Sequence, residues 1–328
     1  LAIVSDIHYA CPAEQAREGH ETVIITNPLL RFMIRAFRHT IWLRHPFAHN
    51  HLLDFFLQDS LRLQPDWVVA NGDYSCDTRF VGVCDPASLE SAGMALGKMR
   101  DRHGARFRAV LGDHELGKTS LAGEQGGPRL ASYTAACKTL HLEPFWKLRL
   151  GPYLVLGITS TLAAWDIYEP ESLHEERPQW SQLQHQHNEL VSEAFADLHP
   201  EDRVILFCHD PSALPFLGRL PAVRQKVGQV EISVIGHLHT RLVFWKSQVL
   251  AGMPAIACLG TAIRRMSTAL REARQWQPFK PKLCPSLAGS ELLKDGAYAS
   301  LVLDLSGRTP AQFALHPVPR SGTLPAPR

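Results

Sequence analysis

Short apolar runs rich in β-branched residues alternate with helical patterns up to about residue 240. AIVS (Ala2–Ser5), WVVA (Trp67–Ala70), FRAVL (Phe107–Leu111), YLVLGI (Tyr153–Ile158), VILFC (Val204–Cys208) and ISVIG (Ile232–Gly236) read as buried strands. Between them the spacing of apolar positions predicts helices over 50–63, 87–103, 129–140, 181–198 and 213–227. Strand–helix alternation of this kind predicts an α/β fold with mainly parallel central strands. Beyond residue 240 the pattern changes. RLVFWK, VLAGMPAIACL, YASLVLDL and AQFALHP read as consecutive strands that close the domain with a second sheet region.

Two segments break the alternation. Residues 11–49 separate the first strand from its expected helix, and residues 261–296 interrupt the late strands. Both exceed ordinary connections, which suits lids or substrate-contact elements. The expected organisation is one domain over 1–317 with these two insertions, followed by a loose Pro-rich tail over 318–328.

Charge matters here by location. The 328 residues carry a formal net charge of only +2, which argues neither for nor against nucleic acid. RFMIRAFRHTIWLRHPF (Arg31–Phe47), however, holds Arg31, Arg35, Arg38 and Arg44 with no acidic residue, and Trp42 among its apolar positions. The segment from Ile263 to Lys282 sets Arg264, Arg265, Arg271, Arg274, Lys280 and Lys282 against Glu272. Basic amphipathic helices of this type either pack their apolar faces on the domain or lie on an anionic membrane. A nucleic-acid face is the less favoured reading.

Seven cysteines, an odd number without a C-x-x-C pair, suggest free thiols in a reducing compartment. No apolar run reaches the roughly 20 residues that span a bilayer. A cytoplasmic location with peripheral membrane contact is therefore expected. The chain opens directly on a strand at Leu1, so an upstream targeting segment stays open.

The stretch GDHELGKT (Gly112–Thr119) satisfies a P-loop pattern and also a metal-binding block, G-[ND]-H-[ED]. The P-loop reading needs a following helix, where SLAGEQGGP offers Gly-Gly-Pro, and it puts Asp113 and Glu115 where phosphate would be repelled. The metal reading requires further ligand blocks after other strands, and they are present. SDIH supplies Asp6 and His8, NGD supplies Asp73, CHD supplies His209, and GHLH supplies His237 and His239. Each follows a strand, at the edge where open α/β sheets build their sites. Ligands two residues apart point to the same side if the backbone is extended. Oxygen and nitrogen donors favour Mn, with Fe or Zn next. His185, His187 and His199 fall in or near a polar helix and are read as ordinary surface or core residues.

The ordered blocks D-x-H, G-D, G-[N/D]-H-[E/D], H and G-H-x-H, running from residue 6 to 239, resemble the calcineurin-like metallophosphoesterase superfamily. The resemblance implies an αββα sandwich of two mixed sheets flanked by helices. It also implies a centre of two divalent metal ions. Asp6, His8, Asp73 and His239 would hold the first, and Asp73, Asp113, His209 and His237 the second. Asp73 would bridge the two, and His114 would act on the scissile phosphate, which a metal-bridging hydroxide attacks in line.

Two departures stand out. Relatives usually carry Asn where this chain has Asp113, which adds a negative charge. After Asp73, Cys76 stands where many relatives have Asp, and Asp77 follows one position later. Thr78 follows Asp77 where relatives often have Arg, which argues against the Ser/Thr protein phosphatase branch, and the purple acid phosphatase branch would want Tyr where Cys76 stands. Asp77, Glu115 and Asp210 are candidates for supporting the ligands from behind, although Asp77 reads equally well as a turn residue. The leading expectation is hydrolysis of a phosphodiester or pyrophosphate. The substrate is a small phosphoester or a lipid-linked one such as UDP-2,3-diacylglucosamine. Alternatives are a nuclease or cyclic-nucleotide phosphodiesterase, and a non-catalytic scaffold.

Overall fold

The computed structural model describes residues 1–17, 28–40, 49–120, 125–258, 260–290, 293, 295–319; for 30, 34 and 37–40 it describes the backbone alone. Among the described residues, ten strands form two five-stranded mixed sheets. They are β1 (Ala2–Val4), β2 (Val68–Asn71), β3 (Phe107–Val110), β4 (Phe145–Leu150), β5 (Tyr153–Ile158), β6 (Arg203–Cys208), β7 (Val230–Ile235), β8 (Pro281–Leu283), β9 (Ala297–Val302) and β10 (Gln312–Pro317). The first sheet runs β10-β9-β1-β2-β3 and the second β4-β5-β6-β7-β8. β1, β2 and β3 are mutually parallel, as are β5 to β8; β4, β9 and β10 pair antiparallel at the margins.

Why the strands carry apolar residues on both faces is plain from the packing. Ile3, Val69 and Val110 of the first sheet meet Val155, Ile205, Phe207 and Val234 of the second in a dry layer between the sheets. Their alternate neighbours Ala2, Val4, Val68, Ala70, Leu154, Leu156, Val204 and Leu206 face outward and are covered by helices. The principal helices are Asn50–Asp59, Pro86–His103, Leu130–Lys138 and Arg177–Ala196. Trp146 ties the layers together. Its indole N–H donates to the Ala109 carbonyl at 2.9 Å, across from β4 to β3.

The late part of the chain corrects the pattern reading. RLVFWK is not a strand but the start of a helix, Arg241–Val249, capped by the Thr240 hydroxyl, which accepts the Val243 N–H at 3.1 Å. Of its large side chains Leu242, Trp245 and Val249 are exposed, while Phe244 packs against the core. The described part of VLAGMPAIACL finishes that helix and continues as turns, because Gly252 takes a positive φ of 91° and Pro254 supplies no N–H. The helix expected over 213–227 is split into Leu214–Leu217 and Pro221–Lys226. β4, with its exposed Lys147, and the three-residue β8 carry weak strand signals and were not foreseen.

The insertions divide differently from expectation. A helix, Pro28–Thr40, carries Arg31 and Arg35 on its described face together with exposed Leu29, Phe32 and Met33. The Arg38 side chain and Trp42 lie outside the described residues. In the second insertion the helix Thr261–Glu272 exposes Arg264 but buries Arg265, which pairs with Glu171 at 2.8 Å. Arg265 is therefore no membrane contact. Residues 281–283 of the same segment join the second sheet as β8. Among the described residues no helix is long and apolar enough to cross a membrane.

Candidate metal centre

Five loops converge where β1, β2, β3, β6 and β7 end. Asp6, His8, Asp73 and His239 form one group and Asp73, Asp113, His209 and His237 another. In each, one ligand-type atom per residue lies within 4.8 Å of all the others. The residues of the D-x-H and H-x-H pairs are not in extended backbone, as the spacing suggested. Asp6, His8, Asp73, His237 and His239 all take left-handed conformations, with φ between 47° and 61°. Asp and His tolerate that region better than most residues, and each such residue still stores about 1 kcal/mol. The left-handed residues turn two side chains of a three-residue stretch into the same cavity.

Interatomic distances define the cavity. Asp6 Oδ1 lies 2.8 Å from His239 Nε2, and His239 Nε2 3.4 Å from His8 Nε2. His209 Nε2 lies 3.1 Å from Asp73 Oδ2 and 3.2 Å from Asp113 Oδ1, and His237 Nδ1 lies 3.1 Å from the same Asp113 oxygen. Asp6 Oδ1, Asp73 Oδ2 and His209 Nε2 are buried and make no hydrogen bond. Buried polar atoms this close, without hydrogen-bond geometry, are aimed at a common point between them. A divalent cation satisfies that arrangement, and a mixed carboxylate–imidazole donor set suits it.

The far sides of the ligands are held by partners. The Nδ1 atoms of His8 and His209 face the carbonyls of Ser75 and Asn71 at 3.2 and 2.6 Å. With the proton on Nδ1, each presents its Nε2 lone pair inward. Asp6 Oδ2 accepts the Ser5 hydroxyl at 2.6 Å and the His237 N–H at 3.1 Å, which leaves Oδ1 for the cavity. Two motif glycines are needed for these approaches. A Cβ on Gly112 would stand 2.3 Å from Asp73 Oδ1, and one on Gly236 2.0 Å from Ser5 Oγ.

A sequence model of the calcineurin-like phosphoesterase family matches residues 1–241, which include all of these ligands. The chain belongs to the calcineurin-like phosphoesterases. Its two mixed sheets flanked by helices are the sandwich expected for that family, and the two groups sharing Asp73 fit a dinuclear centre. No curated protein sequence is significantly similar to the chain.

Around this phosphoesterase centre the electrostatics follow from burial and charge. Burial opposes protonation of His209 and His237. The neighbouring carboxylates, Asp73 and Asp113 with Asp210 beside His237, override it, so both imidazoles bind a proton more strongly than usual, a proton that a cation at the ring nitrogen would displace. Burial would also raise Asp113, but the Lys118 ammonium and His237 hold it well below the ordinary range. His114 belongs to neither ligand group. Its ring lies edge-on to His8, with Nε2 3.6 Å from Asp73 Oδ2, and burial pushes its pKa down to about 4, so it is neutral.

The three supporting candidates differ. Glu115 accepts the N–H groups of Asp73, Tyr74 and Gly112 at 2.8–3.0 Å and so fixes the loops that carry Asp73 and Asp113. Burial and the Asp73 charge push its pKa up to about 8. Asp210 stands 3.7 Å from His237 Nε2 and accepts the Tyr168 hydroxyl at 2.5 Å. Asp77 does not reach a ligand histidine. Its Oδ1 accepts the N–H groups of Val81 and Gly82, so it is a turn residue.

Sequence reasoning missed Glu14, Lys118, Tyr168 and Glu171. Buried Glu14 accepts from Cys76 and Thr78 and braces the loop after Asp73. Glu171 bridges Arg265 to the Thr119 N–H at 3.1 Å. Only Lys118 carried a signal. It is the lysine of the rejected P-loop pattern, and its ammonium lies 2.9 Å from Asp113 Oδ2.

Proposed function

We propose that this protein is a metal-dependent hydrolase of a phosphodiester or pyrophosphate. The observation that carries the reading is the pair of buried oxygen–nitrogen ligand groups sharing Asp73. Asp6, His8, Asp73 and His239 would hold one divalent cation and Asp73, Asp113, His209 and His237 the other. Manganese is favoured, with iron or zinc next. When bound, the cations supply Lewis-acid neutralisation of the phosphoryl charge and make water a competent nucleophile near neutral pH.

The chain's own groups do the rest. Glu115 and the Ser75 and Asn71 carbonyls keep the ligands in place without loop rearrangement. His114, neutral and with its ring edge on His8, sits where it can steady a phosphoryl oxygen. An anionic phosphate beside it would raise its proton affinity and allow it to protonate the leaving oxygen. Its substrate is read as a small phosphoester or a lipid-linked pyrophosphate. Exposed Leu29, Phe32 and Met33 beside Arg31 and Arg35 support a lipid-bearing substrate at an anionic membrane surface.

The test is a hydrolysis screen of metal-loaded protein on a monoester, a diester and a lipid pyrophosphate in micelles. Asp73→Asn and His209→Ala are run beside it. Each variant should lose about a thousandfold or more in rate while remaining folded. Full activity in either one would remove the dinuclear mechanism.

A further inference from the structure

Asp113 uses its two oxygens differently. Oδ1 faces the second ligand group, 3.2 Å from His209 Nε2 and 3.1 Å from His237 Nδ1. Oδ2 is buried and lies 2.9 Å from Lys118 Nζ, an ion-pair contact without hydrogen-bond geometry. Lys118 reaches it because Asp113–Leu116 forms a single helical turn, closed by the Gly117 N–H on the Asp113 carbonyl at 2.8 Å. Gly117 then takes a φ of 94° and fits against Gly127 and Val81 with no room for a Cβ. The next residue is fastened from outside. The Thr119 N–H donates to Glu171, and Glu171 is held by buried Arg265 of the helix Thr261–Glu272. The position of Lys118 is thus built by several separate parts of the chain, and its side chain is only 20% exposed.

We infer that Lys118 is a positioning residue that makes Asp113 a single-oxygen, charge-compensated metal ligand. This rests on the dinuclear reading above. The physical reasoning is a charge count. Three ligand carboxylates facing two divalent cations leave one net positive charge. The ammonium beside the second oxygen of Asp113 raises that to two, the value an asparagine ligand would give without any lysine. Asp113 therefore does not make the centre less attractive to an anionic phosphoester. The ammonium beside the second oxygen would also compete with a cation for it, so Asp113 would hold the metal through Oδ1 alone.

A double-mutant cycle tests it, using Lys118→Met, Asp113→Asn and the two together, with Lys118→Arg as a charge-retaining control. The readouts are Mn²⁺ affinity by calorimetry on metal-stripped protein, melting of the stripped protein, and kcat/KM on bis(p-nitrophenyl) phosphate. Lys118→Met should lower the melting temperature of stripped protein, where the buried Asp113 carboxylate loses its ammonium partner and keeps only the imidazoles, and cut kcat/KM about tenfold. The double variant should recover most of both losses, because Asn needs no counter-charge. Lys118→Arg should lose less than Lys118→Met. Equal defects in Lys118→Met and the double variant would mean that Lys118 acts only by packing, and would overturn the inference. A Lys118→Met variant indistinguishable from wild type would overturn it too. If wild-type protein bound no metal the dinuclear reading would fall, while the stripped-protein melts would still report whether the pair is coupled.

Discussion

Loading the centre with metal should raise the melting temperature by an amount that can be calculated. The ligand atoms are preassembled in the folded protein and dispersed in the unfolded chain, so cations bind the native state preferentially. At a free metal concentration of about 1,000 times Kd, each site adds about 4 kcal/mol to stability. For 328 residues, the unfolding entropy is about 0.7 kcal/mol/K at about 2.1 cal/mol/K per residue. One occupied site should thus shift melting by about 6 °C and two by about 12 °C. The residues divide the effect. Asp73 belongs to both groups, so Asp73→Asn should lose most of the shift, while His239→Ala removes a ligand from one group and should keep about half. The assay is a scanning melt of EDTA-stripped protein with and without Mn²⁺, Zn²⁺ or Fe²⁺, beside metal content by elemental analysis. A cooperative melt that none of the three metals moves would refute the argument that these atoms converge on cations. An undiminished shift in Asp73→Asn would refute the bridging role.

Two further outcomes follow from the scaffold. Gly157 pairs with Trp146 across β4 and β5, and a Cβ there would stand 2.1 Å from the indole. Gly157→Ala should cost about 1–3 kcal/mol in denaturant unfolding, and an unchanged midpoint would contradict the packing described. His187 is buried, with Nε2 accepting the Thr159 N–H at 3.1 Å, and burial lowers its pKa to about 4. The unfolded chain then takes up this proton before the native one does. Stability is complete above about pH 6.5 and falls as pH drops toward 4. The loss is about 2 kcal/mol by pH 5. His187→Gln should flatten that part of the melting-temperature–pH curve, and an unchanged slope would remove the assignment.

Much of the site was legible because metal ligands sit in short blocks at strand ends. Asp6, His8, Asp73, His209, His237 and His239 needed only their spacing and the strands before them. Their left-handed backbone was not legible, since spacing of two is compatible with an extended turn as well. RLVFWK misled because one cap, Thr240, outweighs β-propensity where side chains such as Leu242 and Trp245 face solvent. Arg265 read as a surface charge because its partner Glu171 lies 94 positions away. Lys118 was visible but belonged to the pattern that Asp113 and Glu115 excluded. Its importance depends on a five-residue return that only the turn at Gly117 makes possible.

The first sheet delivers Asp6, His8, Asp73 and Asp113, and the second delivers His209, His237 and His239. Every ligand group therefore straddles the gap between two slabs whose separation is set by Ile3, Val69, Val110, Val155, Ile205, Phe207 and the Trp146 tie. That apolar filling works as a ruler. Thickening or thinning it would respace the donor atoms without touching one of them, so the gauge of the catalytic centre is written in residues that never meet a substrate.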